Sequence, residues 1–259
     1  MVASDKAHGM NEAIKGAVGL IAVDKSFELP VVFDLAATFL FGITGALAAI
    51  QRGYDYVGVF GLTFATAIGG GLIRDGIFLQ NGPPFVFTSE RGYLPTILIA
   101  SIVGTRLGRH VEQFKRAFLT FDALGMSAYG VVGVQASLNA GLKPIAAAFI
   151  GVINATGGGL LRDVLTRQEP LVFKPGQYYV MPSLFGCALL SVLLTVSEVP
   201  RVIAGIVAMA VTFLLRMMAV VFDLRSGPVT GLVPNPDEVA PAQKADVRET
   251  SHSTEKPRR

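Results

Sequence analysis

Two short segments of this chain combine residue types that can bind ions inside a membrane. Each reads Gly-Gly-Gly-Leu-x-Arg-Asp, first at residues 69–75 and again at residues 157–163. Three consecutive glycines weaken an α-helix, each by about 1 kcal/mol relative to alanine. A helix that breaks there leaves carbonyls that suit a cation and amides that suit a carboxylate. We therefore expect two helix breaks that shape a path for ions or small solutes. The glycines concerned are Gly69, Gly70, Gly71, Gly157, Gly158 and Gly159.

Charged residues close to these glycines could line the same path. Neighbouring side chains on a helix point in different directions, so Arg74 is not expected to pair with Asp75. Two interpretations stay open. The arginines face the conduit, with carboxylates as counter-charges, or they form structural ion pairs and extend to the membrane surface. The candidate charges are Arg74, Asp75, Arg162, Asp163, Asp34 and Asp122.

The two segments belong to a longer internal repeat. Phe33-Asp34 recurs 88 residues later as Phe121-Asp122, and 13 of the 43 positions from Phe33 to Asp75 are identical to their partners without a gap. Chance would give about three or four identities for so apolar a composition. The sequence therefore predicts two copies of one structural unit.

Glycines in membrane helices also have a plainer use, because small residues let helices pack closely. We interpret Gly42, Gly45, Gly130 and Gly133 in this way. For the two triple glycines we favour a helix break, because three in a row exceed what close packing needs.

Composition places the chain in a membrane. It is 51% hydrophobic and 16% charged, with a mean hydropathy of +0.54, whereas soluble domains are about 25% charged. The net charge of +3 has no accompanying basic face with aromatic residues, so no nucleic-acid partner is expected. The sequence shows no metal-ligand cluster, no nucleophile–base arrangement and no phosphate-binding loop, and it predicts neither a cofactor nor an enzyme.

Apolar runs divide the chain into seven predicted membrane spans. A lead-in (1–29) comes before a first three-helix repeat (30–113), a second three-helix repeat (117–198), a seventh helix (200–225) and a disordered tail (227–259). The predicted spans are 31–50, 56–78, 94–108, 117–138, a fifth beginning at 144, 179–196 and 201–222. The fold class is therefore an all-α membrane protein.

An odd number of spans per repeat fixes the relative orientation of the two units. A three-span unit ends on the opposite side from its start, so the second repeat is inverted with respect to the first. Near the spans, seven lysines and arginines lie on the face that carries the C-terminus and five on the other. This bias predicts an N-terminus outside and a C-terminus in the cytoplasm.

Two Gly-Gly-Gly-Leu-x-Arg-Asp segments, in two three-span repeats followed by a seventh span, resemble the prokaryotic members of the trimeric intracellular cation (TRIC) channel family. The resemblance covers about residues 30–225. It implies a homotrimer in the bacterial inner membrane, in contact with membrane lipid. Each subunit would have its own pore for potassium and sodium, shaped by the second and fifth spans. Related bacterial sequences have also been labelled transporters of glycine.

Three functions therefore stay open for the chain. Carbonyls before each predicted break favour a passive channel for monovalent cations, and amides after it favour a secondary transporter of glycine or another small amino acid. A non-conducting membrane scaffold is the third. We take the cation channel as the working hypothesis.

Overall fold

The computed structural model describes residues 31–80, 92–110, 114–174, 178–196 and 199–224. The predicted lead-in, most of the loop after the second span and the predicted tail lie outside these residues. The described residues form seven helices and no strand: α1 (Val31–Gln51), α2 (Tyr56–Ile73, extended by Arg74–Leu79), α3 (Tyr93–His110), α4 (Phe114–Asn139), α5 (Pro144–Leu165), α6 (Val180–Val196) and α7 (Arg201–Val221).

The helices match the predicted membrane spans. Five stretches are long and apolar enough to cross a membrane: Val32–Gln51, Tyr56–Leu79, Lys115–Asn139, Pro144–Leu165 and Arg201–Val221. Two shorter apolar helices, Tyr93–Gly108 and Val180–Val196, complete the set. Each predicted start or end lies within three residues of the observed one. The chain is an integral membrane protein.

Equivalent turns join the first two helices of each repeat. Gly53 lies in the α1–α2 turn and has a φ of 71°, and its repeat partner Gly141 has a φ of 82° between α4 and α5. These left-handed values suit glycine and strain other residues. Asp55 then caps α2, its carboxylate accepting a hydrogen bond from the Gly58 amide at 2.8 Å, whereas Pro144 begins α5.

The predicted helix breaks at the triple glycines are wrong, because both helices continue through them. α2 is α-helical from Tyr56 to Ile73 and only then widens into a π-helical segment, while α5 runs unbroken from Pro144 to Leu165. The backbone carbonyls therefore keep their helical partners. For example, the Arg74 amide bonds to the carbonyls of Gly70 and Gly71.

The reason for the glycines is a close crossing of α2 and α5. A Cβ on Gly70 would overlap the carbonyl oxygen of Asn154, and a Cβ on Gly158 would lie 2.5 Å from the carbonyl oxygen of Thr66. Gly70 and Gly158 are repeat partners, and so are Thr66 and Asn154. The backbones thus contact each other directly and symmetrically, which any residue larger than glycine prevents.

The flanking glycines extend this two-fold contact. A Cβ on Gly69 would lie 2.7 Å from Leu161 Cδ1, and a Cβ on its partner Gly157 would lie 3.1 Å from Ile73 Cδ1. Leu161 and Ile73 are again repeat partners. The close-packing interpretation therefore holds for these glycines also.

The same internal packing occurs inside each repeat. A Cβ on Gly45 of α1 would meet Thr66 Oγ1 at 2.7 Å, and one on Gly133 of α4 would meet Asn154 Cβ at 2.7 Å. The packing role predicted for four glycines is confirmed, since each has an atom within 3.1 Å of its Cβ position: Gly42, Gly45, Gly130 and Gly133. The fold is thus two inverted three-helix repeats, α1–α3 and α4–α6, with α7 outside them.

α7 packs against the second repeat. A Cβ on Gly186 of α6 would overlap Thr212 Oγ1 of α7, and Ala204 and Ala208 share a buried apolar cluster with Leu190. The opposite face of α7 leaves large apolar side chains exposed, among them Ile203, Ile206, Leu214 and Met218. α7 therefore covers α6 on one side and offers an apolar surface on the other.

Candidate functional site

A buried ion-pair network surrounds Arg162. Its Nη1 donates to Asp122 Oδ1 at 2.8 Å and to Thr44 Oγ1 at 3.1 Å, and its Nε donates to Asp163 Oδ1 at 3.0 Å. The side chains of Arg162 and Asp122 are 1% and 0% exposed. The guanidinium also lies over the Phe118 ring, 4.6 Å from its centroid. One arginine of α5 therefore ties together α1 and α4, and two carboxylates compensate its charge.

Asp163 extends this network to the segment after α5. Its Oδ2 accepts a hydrogen bond from the Leu171 amide at 3.2 Å, while Thr166 Oγ1 donates to the Arg162 carbonyl at 2.8 Å. The side chain of Asp163 is 7% exposed. The network thus fixes the C-terminal end of α5 and the chain that leaves it.

Arg74 forms a smaller network at its own site. Its Nε and Nη2 donate to the two carboxylate oxygens of Asp75 at 2.6 and 2.9 Å. The expectation that such neighbours do not pair is wrong here and at Arg162–Asp163. An arginine side chain is long enough to fold back over its own helix and meet the carboxylate beside it.

The two arginine sites are not symmetric in detail. Asp34, the repeat partner of Asp122, accepts a hydrogen bond from the Tyr93 hydroxyl. It lies within electrostatic range of Arg74, yet the ion pair of Arg74 is with Asp75. The inter-helix pair made by Arg162 and Asp122 therefore has no equivalent between Arg74 and Asp34.

One face of α1 connects the two arginine sites. Asp34, Thr38, Phe41 and Thr44 are spaced by three or four residues and so share that face. Asp34 lies at the end near Arg74, and Thr44 bonds to Arg162. Ten residues of helix span about 15 Å. The two charged sites are thus separated along α1 by roughly that distance, with Phe41 between them.

The centre between the two sites is closely packed. Tyr129 of α4 is the repeat partner of Phe41, and their ring centroids lie 5.4 Å apart. The Tyr129 hydroxyl donates to the Ala67 carbonyl of α2 and contacts the Thr38 hydroxyl at 2.9 Å. Phe41 and Tyr129 are 0% and 4% exposed. An aromatic pair therefore occupies the middle of the α1, α2, α4 and α5 bundle.

The sequence-predicted residues fall into three groups in space. Arg162, Asp122 and Asp163 come together, and Arg74 pairs with Asp75 near Asp34. Four of the six glycines, Gly69, Gly70, Gly157 and Gly158, form the crossing of α2 and α5, whereas Gly71 and Gly159 lie outside it. Within the described ranges, no cluster of three or more His, Cys, Asp or Glu side chains could hold a metal ion.

Several residues of the site were not among the candidates predicted from the sequence. Thr44 and Phe118 carry no signal of their own, since such residues are common in apolar helices. Phe41 and Tyr129 do carry one, because they are aromatic counterparts 88 residues apart. Arg216 is a lone charge inside an otherwise apolar span, a pattern typical of a functional or paired residue.

The two repeats are also where the chain matches a known family. Residues 31–108 and 119–195 match the family model described as Glycine transporter. The chain belongs to this family. The two matched stretches contain the glycine crossing and both arginine sites.

Relatives of similar length support the assignment. The chain is 32% identical to the UPF0126 inner membrane protein YadS of Escherichia coli over 193 residues, which cover 74% of this chain and 92% of the relative. It is 36% identical to a UPF0126 membrane protein of Streptomyces coelicolor over 210 residues, 81% of this chain and 91% of the relative.

Solved structures of TRIC channels share the fold. The TRIC trimeric intracellular cation channel orthologue from Rhodobacter sphaeroides is 31% identical, with a TM-score of 0.70 over 75% of this chain and 98% of that chain. A second solved structure, described as the structural basis for conductance through TRIC cation channels, is 26% identical. Its TM-score is 0.67 over 80% of this chain and 100% of that chain. The predicted membership of the prokaryotic TRIC family is confirmed.

Proposed function

We propose that this chain is a passive channel for monovalent cations, potassium and sodium, with a path through each subunit between α1, α2, α4 and α5. The main support is that a single face of α1 connects two charged sites about 15 Å apart. The fold that contains this face is similar to that of the Rhodobacter sphaeroides trimeric cation channel. The proposal assigns no enzymatic activity and no cofactor.

Carboxylates lie at both ends of the proposed path, and their negative charge favours cations. Asp34 lies at one end, and Asp122 and Asp163 at the other. A lone arginine 6 Å from a passing cation would repel it by about 3 kcal/mol at an effective dielectric near 20. At Arg162 two carboxylates within 3.0 Å of the guanidinium offset that repulsion. The arginine then orders the carboxylates without closing the path to positive ions.

The aromatic pair at the centre corresponds to a closed conformation. Phe41 and Tyr129 are buried and in contact, and the Tyr129 hydroxyl is held by α2. Opening requires these two rings to separate. The glycine crossing beside them acts as a pivot, because direct backbone contact lets α2 and α5 tilt without moving bulky side chains between them.

Single-channel recording tests the proposal directly. Purified protein in a planar bilayer with potassium salt on both sides should give discrete unitary currents. Replacement of potassium by a large organic cation should abolish them. An absence of unitary currents from protein that is folded and inserted would refute the channel.

A second function, secondary transport of glycine or another small amino acid, is favoured by the description of the matching family. The same purified protein in liposomes distinguishes the two. Saturable uptake of labelled glycine without unitary currents supports the transporter, and currents without glycine uptake support the channel.

We further propose a homotrimer, with the C-terminus in the cytoplasm of a bacterial cell. The trimeric description of the Rhodobacter sphaeroides structure supports the trimer, and the inner-membrane description of YadS supports the membrane. The excess of lysine and arginine on the face that carries the C-terminus supports the orientation. Native mass spectrometry of detergent-solubilised protein should give three times the subunit mass of 27.4 kDa. A monomer or dimer at all detergent concentrations would refute the assembly.

A further inference from the structure

Four buried polar atoms on neighbouring side chains lack hydrogen-bond partners within the described part of the chain. They are Asp122 Oδ2, Arg162 Nη2, Tyr179 Oη and Arg216 Nε. They come from α4, α5, the residue before α6, and α7. Two other buried atoms share this property, on Asn154 and Ser191. The side chains that carry the first four atoms are neighbours in pairs, because Arg162 bonds to Asp122 and Arg216 packs over the Tyr179 ring.

The position of Gly159 shows that two of these atoms face the same point. A Cβ on Gly159 would lie 2.5 Å from Tyr179 Oη and 3.4 Å from Arg162 Nη2. The hydroxyl and the guanidinium thus face the same point of α5 without bonding to each other. Tyr179 also lies within electrostatic range of Asp122 and Arg216.

α7 completes the cluster from the other side. Arg216 is 2% exposed, its Nη1 donates to the Tyr178 carbonyl at 2.8 Å, and its guanidinium carbon lies 4.8 Å from the Tyr179 ring centroid. These contacts hold the ring between Arg216 and Gly159. These contacts leave Arg216 Nε without a hydrogen-bond acceptor among the described residues.

Such a cluster requires a ligand. An unsatisfied buried polar group costs about 1–3 kcal/mol, and more when it is charged. The membrane interior offers no bulk water to replace the missing partners. Four such atoms together are therefore strongly unfavourable as an empty site.

The chemistry of the four atoms indicates which ligand. Arg162 Nη2 and Arg216 Nε only donate hydrogen bonds, Asp122 Oδ2 only accepts them, and the Tyr179 hydroxyl does both. The two arginines and the carboxylates of Asp122 and Asp163 balance in charge, so neither a cation nor an anion is favoured. A small neutral molecule that both donates and accepts satisfies all four.

We propose that Asp122, Arg162, Tyr179 and Arg216 enclose ordered water, in a polar chamber between α4, α5, α6 and α7. The chamber lies on the α7 side of Arg162, whereas the proposed ion path lies on the α1 side. The water in the chamber hydrates the Arg162 guanidinium and the Asp122 carboxylate, whose other atoms form the ion pair between α5 and α4. The inference does not depend on conduction, and it gives Arg216 of the seventh helix a polar role beyond packing.

X-ray radiolysis tests the chamber on the intact protein, because enclosed water generates hydroxyl radicals in place. Three tyrosines serve as reporters within one sample. Tyr179 borders the chamber, Tyr129 is equally buried but has its hydroxyl bonded to protein, and Tyr178 is 39% exposed. A radical scavenger in the bulk solvent separates enclosed water from solvent access.

We expect Tyr179 to be modified several-fold faster than Tyr129, as measured by mass spectrometry. The scavenger should suppress the modification of Tyr178 and leave that of Tyr179. A Tyr179 rate equal to that of Tyr129 would show a dry cluster and overturn the proposal. A Tyr179 rate that falls with the scavenger as Tyr178 does would show bulk access in place of enclosed water, and would overturn it too.

Discussion

Phe41 and Tyr129 occupy equivalent positions of the two repeats and contact each other, with ring centroids 5.4 Å apart and ring planes at 43°. A contact between repeat partners lies on the axis that relates the two repeats. The axis therefore runs through the aromatic pair, beside the crossing of Gly70 and Gly158. A symmetric opening of the bundle along this axis would separate the two rings.

Phe41→Ala should raise cation flux through the subunit. Removal of one ring leaves a gap at the centre of the proposed path, although the loss of a buried phenylalanine also costs about 3–5 kcal/mol of stability. Potassium flux from liposomes, normalised to the amount of folded protein, measures the effect. Phe60→Ala is the matched control, because Phe60 is 37% exposed on α2 and its loss should leave flux unchanged. Equal flux from folded Phe41→Ala and wild type would show that the ring does not obstruct the path.

Gly70→Ala should disrupt the crossing, whereas Gly71→Ala should not. A Cβ at residue 70 overlaps the Asn154 carbonyl oxygen, but a Cβ at residue 71 meets only Arg74 Nη2, at 3.9 Å. In an undisturbed helix alanine is favoured over glycine by about 1 kcal/mol. Thermal unfolding in detergent should therefore give a lower Tm for Gly70→Ala and an equal or higher Tm for Gly71→Ala. Two variants of equal stability would contradict the backbone contact between α2 and α5.

Arg162→Gln should be far more damaging than Arg74→Gln. Loss of Arg162 leaves Asp122 and Asp163 buried without their cation, at a cost of about 3–5 kcal/mol. Arg74 has one carboxylate partner, Asp75, whose side chain is 18% exposed and therefore less enclosed than that of Asp122. We expect Arg162→Gln to lose folded protein on size-exclusion chromatography while Arg74→Gln keeps it.

A double variant checks the cause of this difference. Asp122→Asn combined with Arg162→Gln removes both partners of the inter-helix pair, so it should recover part of the folded fraction lost in Arg162→Gln alone. If the double variant is less stable than the wild type by the sum of the two single effects, the two residues do not interact and the ion-pair explanation fails.

The inverted orientation predicts which loops share a side of the membrane. Single cysteines can replace the exposed residues Arg52, Gln168 and Gln80 after the buried Cys187 is changed to alanine. An impermeant thiol reagent applied to intact cells should label the cysteine at residue 80 alone. Those at residues 52 and 168 should react only after the membrane is opened. Labelling of all three from outside would overturn the topology.

The fold could be predicted from the sequence because the signals that indicate it, the apolar runs and the internal repeat, extend over many residues. Seven apolar runs and an 88-residue repeat fix the number of helices and their pairing, and no single residue decides either. The predicted helix breaks at the triple glycines are wrong for a local reason. Glycine weakens an isolated helix, but here the partner helix fills the space that each missing side chain leaves, as the contacts of Gly70 and Gly158 show. At the crossing of α2 and α5, tertiary packing therefore outweighs the low helix propensity of glycine.

The charged sites were only half predictable. The repeat identified Arg162, Asp122 and Asp163 as candidates, but sequence spacing cannot tell that Arg162 reaches α4 while Arg74 stays on its own helix. In the structure Asp34 accepts a hydrogen bond from Tyr93, and Arg74 pairs with Asp75. This difference breaks the symmetry that two identical Gly-Gly-Gly-Leu-x-Arg-Asp segments suggest.

The crossing of α2 and α5 also sets an order of events during synthesis. The backbone surface at Gly70 is completed by Gly158, which the ribosome adds 88 residues later. At about 5–20 residues per second, α2 resides in the bilayer for roughly 4–18 s before its partner exists. During that interval α5 is not present to cover the surface at Gly70. A nascent chain that stops before Pro144 therefore lacks the helix that completes this contact in the finished protein.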